Sequence, residues 1–454
     1  MRSRTLPRIV LITLLFLLTA CRLVEPDLES SGTVEPQVNG DSAGEAGEVV
    51  ATPWPIVASE VVREREPQVS EEALVALTEG NVAFSFDIFD ELRHKEGNLF
   101  FSPYSISMAL AMTYAGARGE TARQMAETLH FALPEGELHP AINALDLSLA
   151  PAELEGEGEA LRLEVANSLW AQEGFPVAHP FLDLLARQYG AGLRLVDYTS
   201  EAGRETAREA INNWVARQTE DKIKELIPER TLSGYTRLVL ANAIYFLGKW
   251  VAPFQEVGEQ PFTLLNGQQV EVPMMAREET TPYARGDGYE VVALNYRGGP
   301  ARMLVLVPDS GEYKAFEAAL QQERFDEIVG SLERSYVSLT MPSFEFESDF
   351  VLNEVLEEMG MADPFKPELA DFSGMSAKNE PGLYISAVIH KAFVAVDEEG
   401  TEAAAATAVV MGTEEEPPEP DARVTVDRPF LFAIQDSDTG TLLFLGRVLD
   451  PRAD

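Results

Sequence analysis

The chain has one cysteine, Cys21, among 454 residues, so an internal disulfide or a Cys–His metal or nucleophile site cannot be built. Histidine is scarce, with five scattered residues. Basic side chains are few: 35 lysines and arginines stand against 75 acids, for a formal net charge of −40. A surface of that sign repels phosphate backbones and anionic lipid heads, which excludes nucleic-acid binding. The usual catalytic motifs are missing. There is no G-x-S-x-G, H-E-x-x-H or G-x-x-x-x-G-K-[ST], and Gly190-Ala191-Gly192 starts like a dinucleotide fingerprint without its third glycine. Carboxylates are so abundant that a chance pair identifies nothing. The sequence yields no catalytic residue, no metal ligand set and no cofactor.

A membrane-spanning run is lacking too. The apolar stretch Ile9–Ala20 has 12 residues, against roughly 20 for a spanning helix. It follows Arg2, Arg4 and Arg8 and ends at Cys21, so residues 1–20 read as an export leader. Leu18-Thr19-Ala20-Cys21 resembles the bacterial lipoprotein box, in which the cysteine is lipidated and becomes the new N-terminus. The expected location is outside the cytoplasm, with the lipid on Cys21 as the contact to a membrane. Residues 21–70 are rich in Glu, Pro, Ser and Gly with little apolar periodicity, and read as a flexible tether. Such a coil has a root-mean-square reach of roughly 35–40 Å.

What is present begins near Glu71. Hydrophobic residues make up 45% of the chain, enough to bury a large core. Val82, Phe86 and Phe89 fall at i, i+4 and i+7 and predict a helix with one buried face. A second helical region is predicted from Ser102 to about Leu129, then an acidic Pro/Glu/Gly loop over 134–159. Helical patterns return at Ala178–Tyr189 and Ala202–Glu225, the latter with Ile211, Trp214, Val215 and Ile223 on one stripe. The texture then changes to strands. Leu238–Phe246 is apolar nearly throughout, as a strand covered on both faces requires. Further strands are predicted at Arg302–Val307, Tyr336–Met341, Leu383–Val396, Arg423–Val426, Phe430–Gln435 and Thr441–Val448. Helices early and strands late predict an α+β class with large mixed sheets, in one domain over 71–454.

One stretch contradicts itself. Residues 400–420 read GTEAAAATAVVMGTEEEPPEP, a small, uncharged tract of alanines and β-branched residues joined to an acidic, proline-rich one. The residues around it carry a family resemblance. His390-Lys391-Ala392-Phe393 and Val396-Asp397-Glu398-Glu399-Gly400-Thr401-Glu402-Ala403-Ala404 resemble the hinge of serpins, the loop-inserting protease inhibitors. Asp427-Arg428-Pro429-Phe430-Leu431-Phe432, Leu445-Gly446-Arg447-Val448, Asn98-Leu99-Phe100-Phe101-Ser102-Pro103-Tyr104-Ser105 and Leu240–Trp250 resemble other landmarks of that family. The resemblance covers about residues 71–450 in the right order. It implies three β-sheets, eight or nine helices and an exposed reactive-centre loop.

The resemblance also implies a mechanism. In serpins the loop stays exposed until a serine protease cuts it, and the part before the cut enters the main sheet as a new strand. The inhibitor is consumed while the acyl-enzyme is trapped as a covalent complex; nothing is catalysed. An entering strand places every second side chain into packed interior. Thr401, Ala403, Ala405, Thr407 and Val409 share one such face, and Glu402 falls on the other. Insertion is therefore permitted. Counting from Gly400 as the first of fifteen residues puts the cut between Glu414 and Glu415, which implies a glutamate-specific protease. The rival bond, Met411–Gly412, implies chymotrypsin-, elastase- or subtilisin-like targets. Ser102, Ser105, Asn242 and His390 match the polar cluster where the sheet parts, and Trp250 the tryptophan at its top. Glu398 matches the hinge acid, while Ser343 stands where some members carry its basic partner. A monomer is expected. The reading from another class is a non-inhibitory serpin-like surface binding protein.

Overall fold

The computed structural model describes residues 56–149, 161–378, 382–401 and 418–452. The leader, Cys21, the tract from Ala403 to Val409 and both candidate bonds, Met411–Gly412 and Glu414–Glu415, lie outside them.

Helix α1 (Glu71–Leu92) starts at Ser70, whose hydroxyl accepts the Ala73 N–H, and it buries the predicted stripe of Val82, Phe86 and Phe89. The region predicted as one helix from Ser102 is two, α2 (Pro103–Tyr114) and α3 (Gly119–Thr128). They separate where Arg118 N–H donates to Asp371 O instead of continuing the helix. The acidic loop predicted over 134–159 is corrected in its first half, because Glu135–Leu149 forms helix α4. Leu138, Ile142, Leu145 and Leu149 bury a stripe at helical spacing there, which outweighs one N–H lost at Pro140. Helix α5 (His179–Leu184) runs on as a π-turn to Tyr189, and α6 (Glu201–Gln218) stops short of the predicted Glu225. Glu220 and Asp221 adopt left-handed φ values of 49° and 61° and end it, although Ile223 is still buried. Helices α7 (Tyr313–Ala319), α8 (Gln322–Gly330) and α9 (Asn353–Glu358) make nine α-helices among the described residues.

The central sheet has seven strands in the order β1 (Ile56–Val57), β4 (Leu193–Val196), β3 (Leu161–Gln172), β5 (Leu238–Lys249), β13 (Gly400–Thr401), β12 (Ile385–Val396) and β11 (Phe344–Val351). Strand β5 pairs antiparallel with β3, and below β13 it pairs directly and in parallel with β12. Its residues 238–246 are buried throughout, as their unbroken apolar run requires. The remaining strands are β2 (Leu99–Phe101), β6 (Gln255–Thr263), β7 (Gln269–Gly286), β8 (Tyr289–Asn295), β9 (Ala301–Pro308), β10 (Glu333–Pro342), β14 (Ala422–Thr425), β15 (Phe430–Asp436) and β16 (Leu442–Val448). These nine strands hydrogen-bond as one network that runs through the 18-residue β7. Residues 269–276 of β7 pair with β6, residues 274–283 with β10, and its last four with β8.

The expected tether is corrected at its C-terminal end. Residues 56–69 form a strap along the domain. Ile56 and Val57 add β1 to the sheet edge opposite Arg194 and Leu193. Arg63 Nε donates to Asn143 Oδ1 at 2.9 Å, its Nη2 pairs with Asp146, and Asn143 Nδ2 donates to Glu64 O at 2.8 Å. These partners lie on α4, the helix the composition concealed. The charged run Arg63–Glu66 conceals a segment held by backbone pairing, by the Arg63–Asp146 pair and by Val57 and Val69 packed against the core.

Candidate functional site

Two places on the central sheet carry the residues that the sequence singled out. The first is a polar row beneath the strands. Asn167 on β3, Asn242 on β5 and His390 on β12 stand side by side in register. Asn242 and His390 are fully buried. Ser102 caps α2, its hydroxyl accepting the Ser105 N–H at 3.1 Å and donating to Leu443 O at 2.6 Å. That brings Ser105 under the row. Asn242 Nδ2 donates to Ser105 Oγ at 2.6 Å, to Ser105 O at 2.9 Å and to Asn167 Oδ1. Its Oδ1 accepts from His390 Nδ1, so the proton sits on Nδ1 and Nε2 accepts the Ser102 N–H at 3.1 Å. Burial pushes the imidazole down to about 3, which keeps it neutral. The ring stacks on Phe350, with centroids 6.2 Å apart.

The row crosses the boundary along which a new strand would enter. Opening β5 from β12 by one strand moves their axes from about 5 Å to about 10 Å apart. The Asn242–His390 hydrogen bond cannot span that. Ser102, Ser105, Asn242 and His390 therefore form one cluster, as predicted, and Asn167 joins it. Trp250 does not. It lies at the other place, the mouth of the sheet.

There β13 occupies the gap between β5 and β12. Gly400 pairs with Lys249, Thr401 with Gly248, and Thr401 also with Val396. A Cβ on Gly400 would fall 2.1 Å from Gly248 O, so only glycine fits at the first rung. Thr401 is 1% exposed, and its hydroxyl is 2.7 Å from Tyr296 OH. The first residue of the predicted inserting tract is thus in the sheet of the uncut chain; the expectation that insertion waits for cleavage is corrected for these two positions. The turn before them is fastened to Trp250. Its N–H donates to Glu399 O at 2.9 Å, its Nε1 to Asp397 O at 3.0 Å, and Phe254 N–H donates to Glu398 O at 2.7 Å. Asp397 Oδ1 closes the turn by accepting the N–H groups of Glu399 and Gly400.

Two further residues at the mouth carry no family landmark in the sequence. Tyr296 stacks on Trp250 at 4.5 Å and holds Thr401. Arg277 is buried with its guanidinium 4.4 Å from the Phe254 ring and 5.8 Å from that of Trp250. It pairs with Glu279 and donates to Ala252 O, and burial pushes it down to about 10. Arg277 follows the apolar Met274-Met275-Ala276 and precedes Glu278 and Glu279, so in the sequence it reads as one more charged surface residue of β7. The Glu398 carboxylate has no ion-pair partner among the described residues, in keeping with Ser343, whose N–H donates to Pro273 O.

Comparison with known proteins gives one answer. A family model described as "Serpin (serine protease inhibitor)" matches residues 79–451. The chain is 37% identical over 373 residues to an uncharacterised serpin-like protein of Thermococcus kodakarensis, covering 82% of this chain and 84% of that one. It is 37% identical over 388 residues to leukocyte elastase inhibitor A of Rattus norvegicus, covering 83% and 99% respectively. Among solved structures it resembles the thermophilic serpin tengpin in its native state, with a TM-score of 0.75 and 28% identity over 87% of this chain and 97% of that one.

Proposed function

The chain belongs to the serpin family, and from that premise we propose that it is a suicide-substrate inhibitor of serine endopeptidases, anchored outside the cytoplasm by a lipid on Cys21. The observation that carries this reading is the engaged hinge. Gly400 and Thr401 already bridge β5 and β12, with Thr401 facing inward. Continuing that alternation sends Ala403, Ala405, Thr407 and Val409 to the same face, where small uncharged side chains meet no charge penalty. A protease that attacks the loop forms an acyl-enzyme by its own chemistry. Entry of the tract ahead of ester hydrolysis then carries the enzyme away. Glu414 in the cut position selects a glutamate-specific protease with a basic pocket; Met411 is the competing position.

The test is incubation with a panel comprising a glutamyl endopeptidase, chymotrypsin, elastase and subtilisin, followed by denaturing electrophoresis and mass spectrometry of the fragments. An SDS-resistant complex with the glutamyl enzyme and a cut after Glu414 is expected. Loop cleavage by every enzyme without any complex would make the protein a substrate, and an unchanged melting midpoint after the cut would make it a non-inserting relative. For the anchor, Cys21→Ser should release the exported protein from membranes. Retention on the membrane refutes the lipid.

A further inference from the structure

A cavity of about 640 Å³ lies between the strap, strands β3 and β4, the π-turn after α5 and helix α6. Arg63, Arg65 and Arg194 line it and no carboxylate does, in a chain where acids outnumber bases by 75 to 35. Arg63 is taken up by Asn143 and Asp146. Arg194 is not. Its guanidinium lies over the rings of Trp170 at 5.1 Å and Trp214 at 5.4 Å, and its Nε donates to Ser168 Oγ at 3.2 Å. Among the described residues no acid pairs with it or with Arg65. Burial lowers the Arg194 pKa, and the neighbouring charge of Arg217 on α6 lowers it further. A half-buried guanidinium over two indole faces, with a like charge nearby and no acid paired to it among the described residues, is an unfavourable arrangement for an empty site and a favourable one around an anion.

The rest of the wall says what the anion is attached to. Trp214, Ala186 and Val165 offer apolar surface beside the arginines. A long polyanion is disfavoured, because everything beyond the cavity carries the repulsion of a net charge of −40. A single charged head held at short range escapes that repulsion. We propose that this cavity binds a small organic anion, with Arg194 and Arg65 on its charged group and Trp214 on its apolar body. The site lies one hydrogen bond from the parting line of the sheet, since Asn167 lines it and accepts from Asn242 of β5. A ligand there joins strap, sheet and α6, and stabilises the folded chain by mass action.

The test uses the full chain and two matched probes, 2-naphthoate and the neutral 2-naphthalenemethanol, in isothermal titration with melting midpoints in parallel. One molecule of naphthoate should bind, at least about tenfold tighter than the alcohol, and should raise the midpoint. Arg194→Gln and Arg65→Gln should each weaken naphthoate by about tenfold. Arg65 is exposed and has no hydrogen bond or ion pair among the described residues, so its variant keeps the test valid even where Arg194→Gln unfolds. Equal affinity for the two probes, no saturable binding at millimolar naphthoate, or unchanged affinity in Arg65→Gln overturns the proposal.

Discussion

His390 Nδ1 donates to Asn242 Oδ1 across the seam between β12 and β5, and His390 Nε2 accepts from Ser102. Both ring nitrogens are committed to the neutral form.

Acid therefore works against the closed sheet. The folded imidazole is pushed down to about 3 from an ordinary 6.5, so between those values the unfolded or opened chain takes up a proton that the native chain refuses. Stability is full above about pH 6.5 and falls as pH drops toward 3, by up to about 1.4 kcal/mol per pH unit for one such group. His139, pushed down to about 4 by burial beside Tyr189, adds a slope of the same sign. Urea midpoints from pH 7.5 to 4.5 should decline, and His390→Asn should flatten the decline while lowering the midpoint at neutral pH. A midpoint that rises on acidification would overturn this account.

Thr401→Arg places a charge where 1% of the side chain is accessible and the partner is a tyrosine hydroxyl. An unpaired charge there costs several kcal/mol, on the order of 3–5. Under the proposed function, this variant should be cleaved at the normal rate and give no SDS-resistant complex.

Tyr296→Phe removes only the hydroxyl 2.7 Å from Thr401 Oγ1. The hinge loses about 1 kcal/mol of hold, or roughly a fivefold gain in its released population. Proteolysis in the 401–417 region should accelerate by about that factor, with the global melting midpoint little changed.

Arg277→Met takes the cation from between Trp250, Phe254 and Glu279. Burial already raises the Glu279 carboxyl, and Arg277, with a smaller share from Thr281, opposes this. Its loss should destabilise the native fold by about 2–4 kcal/mol in denaturant titrations. Arg277→Lys should rescue poorly, because an ammonium cannot stack in the plane the guanidinium occupies.

Arg63→Ala cuts the strap from α4. Its side chain is 19% exposed and that of Asp146 24%, so the pair is partly shielded and its loss should cost about 1–2 kcal/mol. Hydrogen exchange at residues 56–65 should speed up well before that of β5.

The elements readable in the sequence were those with an unbroken physical pattern. Leu238–Phe246 declared a doubly covered strand by apolarity alone, and Val82, Phe86 and Phe89 declared α1 by spacing. The cluster of Ser102, Ser105, Asn242 and His390 was legible only through family motifs, because its members are up to 288 residues apart and meet through sheet register. Composition misled at α4, where Glu135, Gly136 and Pro140 obscured a buried leucine stripe. It misled again at the strap, held by main-chain pairing, by Arg63 and by Val57 and Val69 packed against the core. Tyr296 and Arg277 went unnoticed since their role depends on stacking with Trp250, a relation that no spacing rule encodes.

Gly400 and Thr401 have one consequence for rates. Growing a strand between two others is slow at its first rung, when chain freedom is lost before any neighbouring pair exists to stabilise the next. With that rung formed, the remaining residues would, under the proposed function, face a propagation problem, each adding beside an existing pair with no long search for the entrance before it. The outcome of an encounter would then rest on zippering speed against deacylation by water, provided the rung at Thr401 stays uncharged and in place.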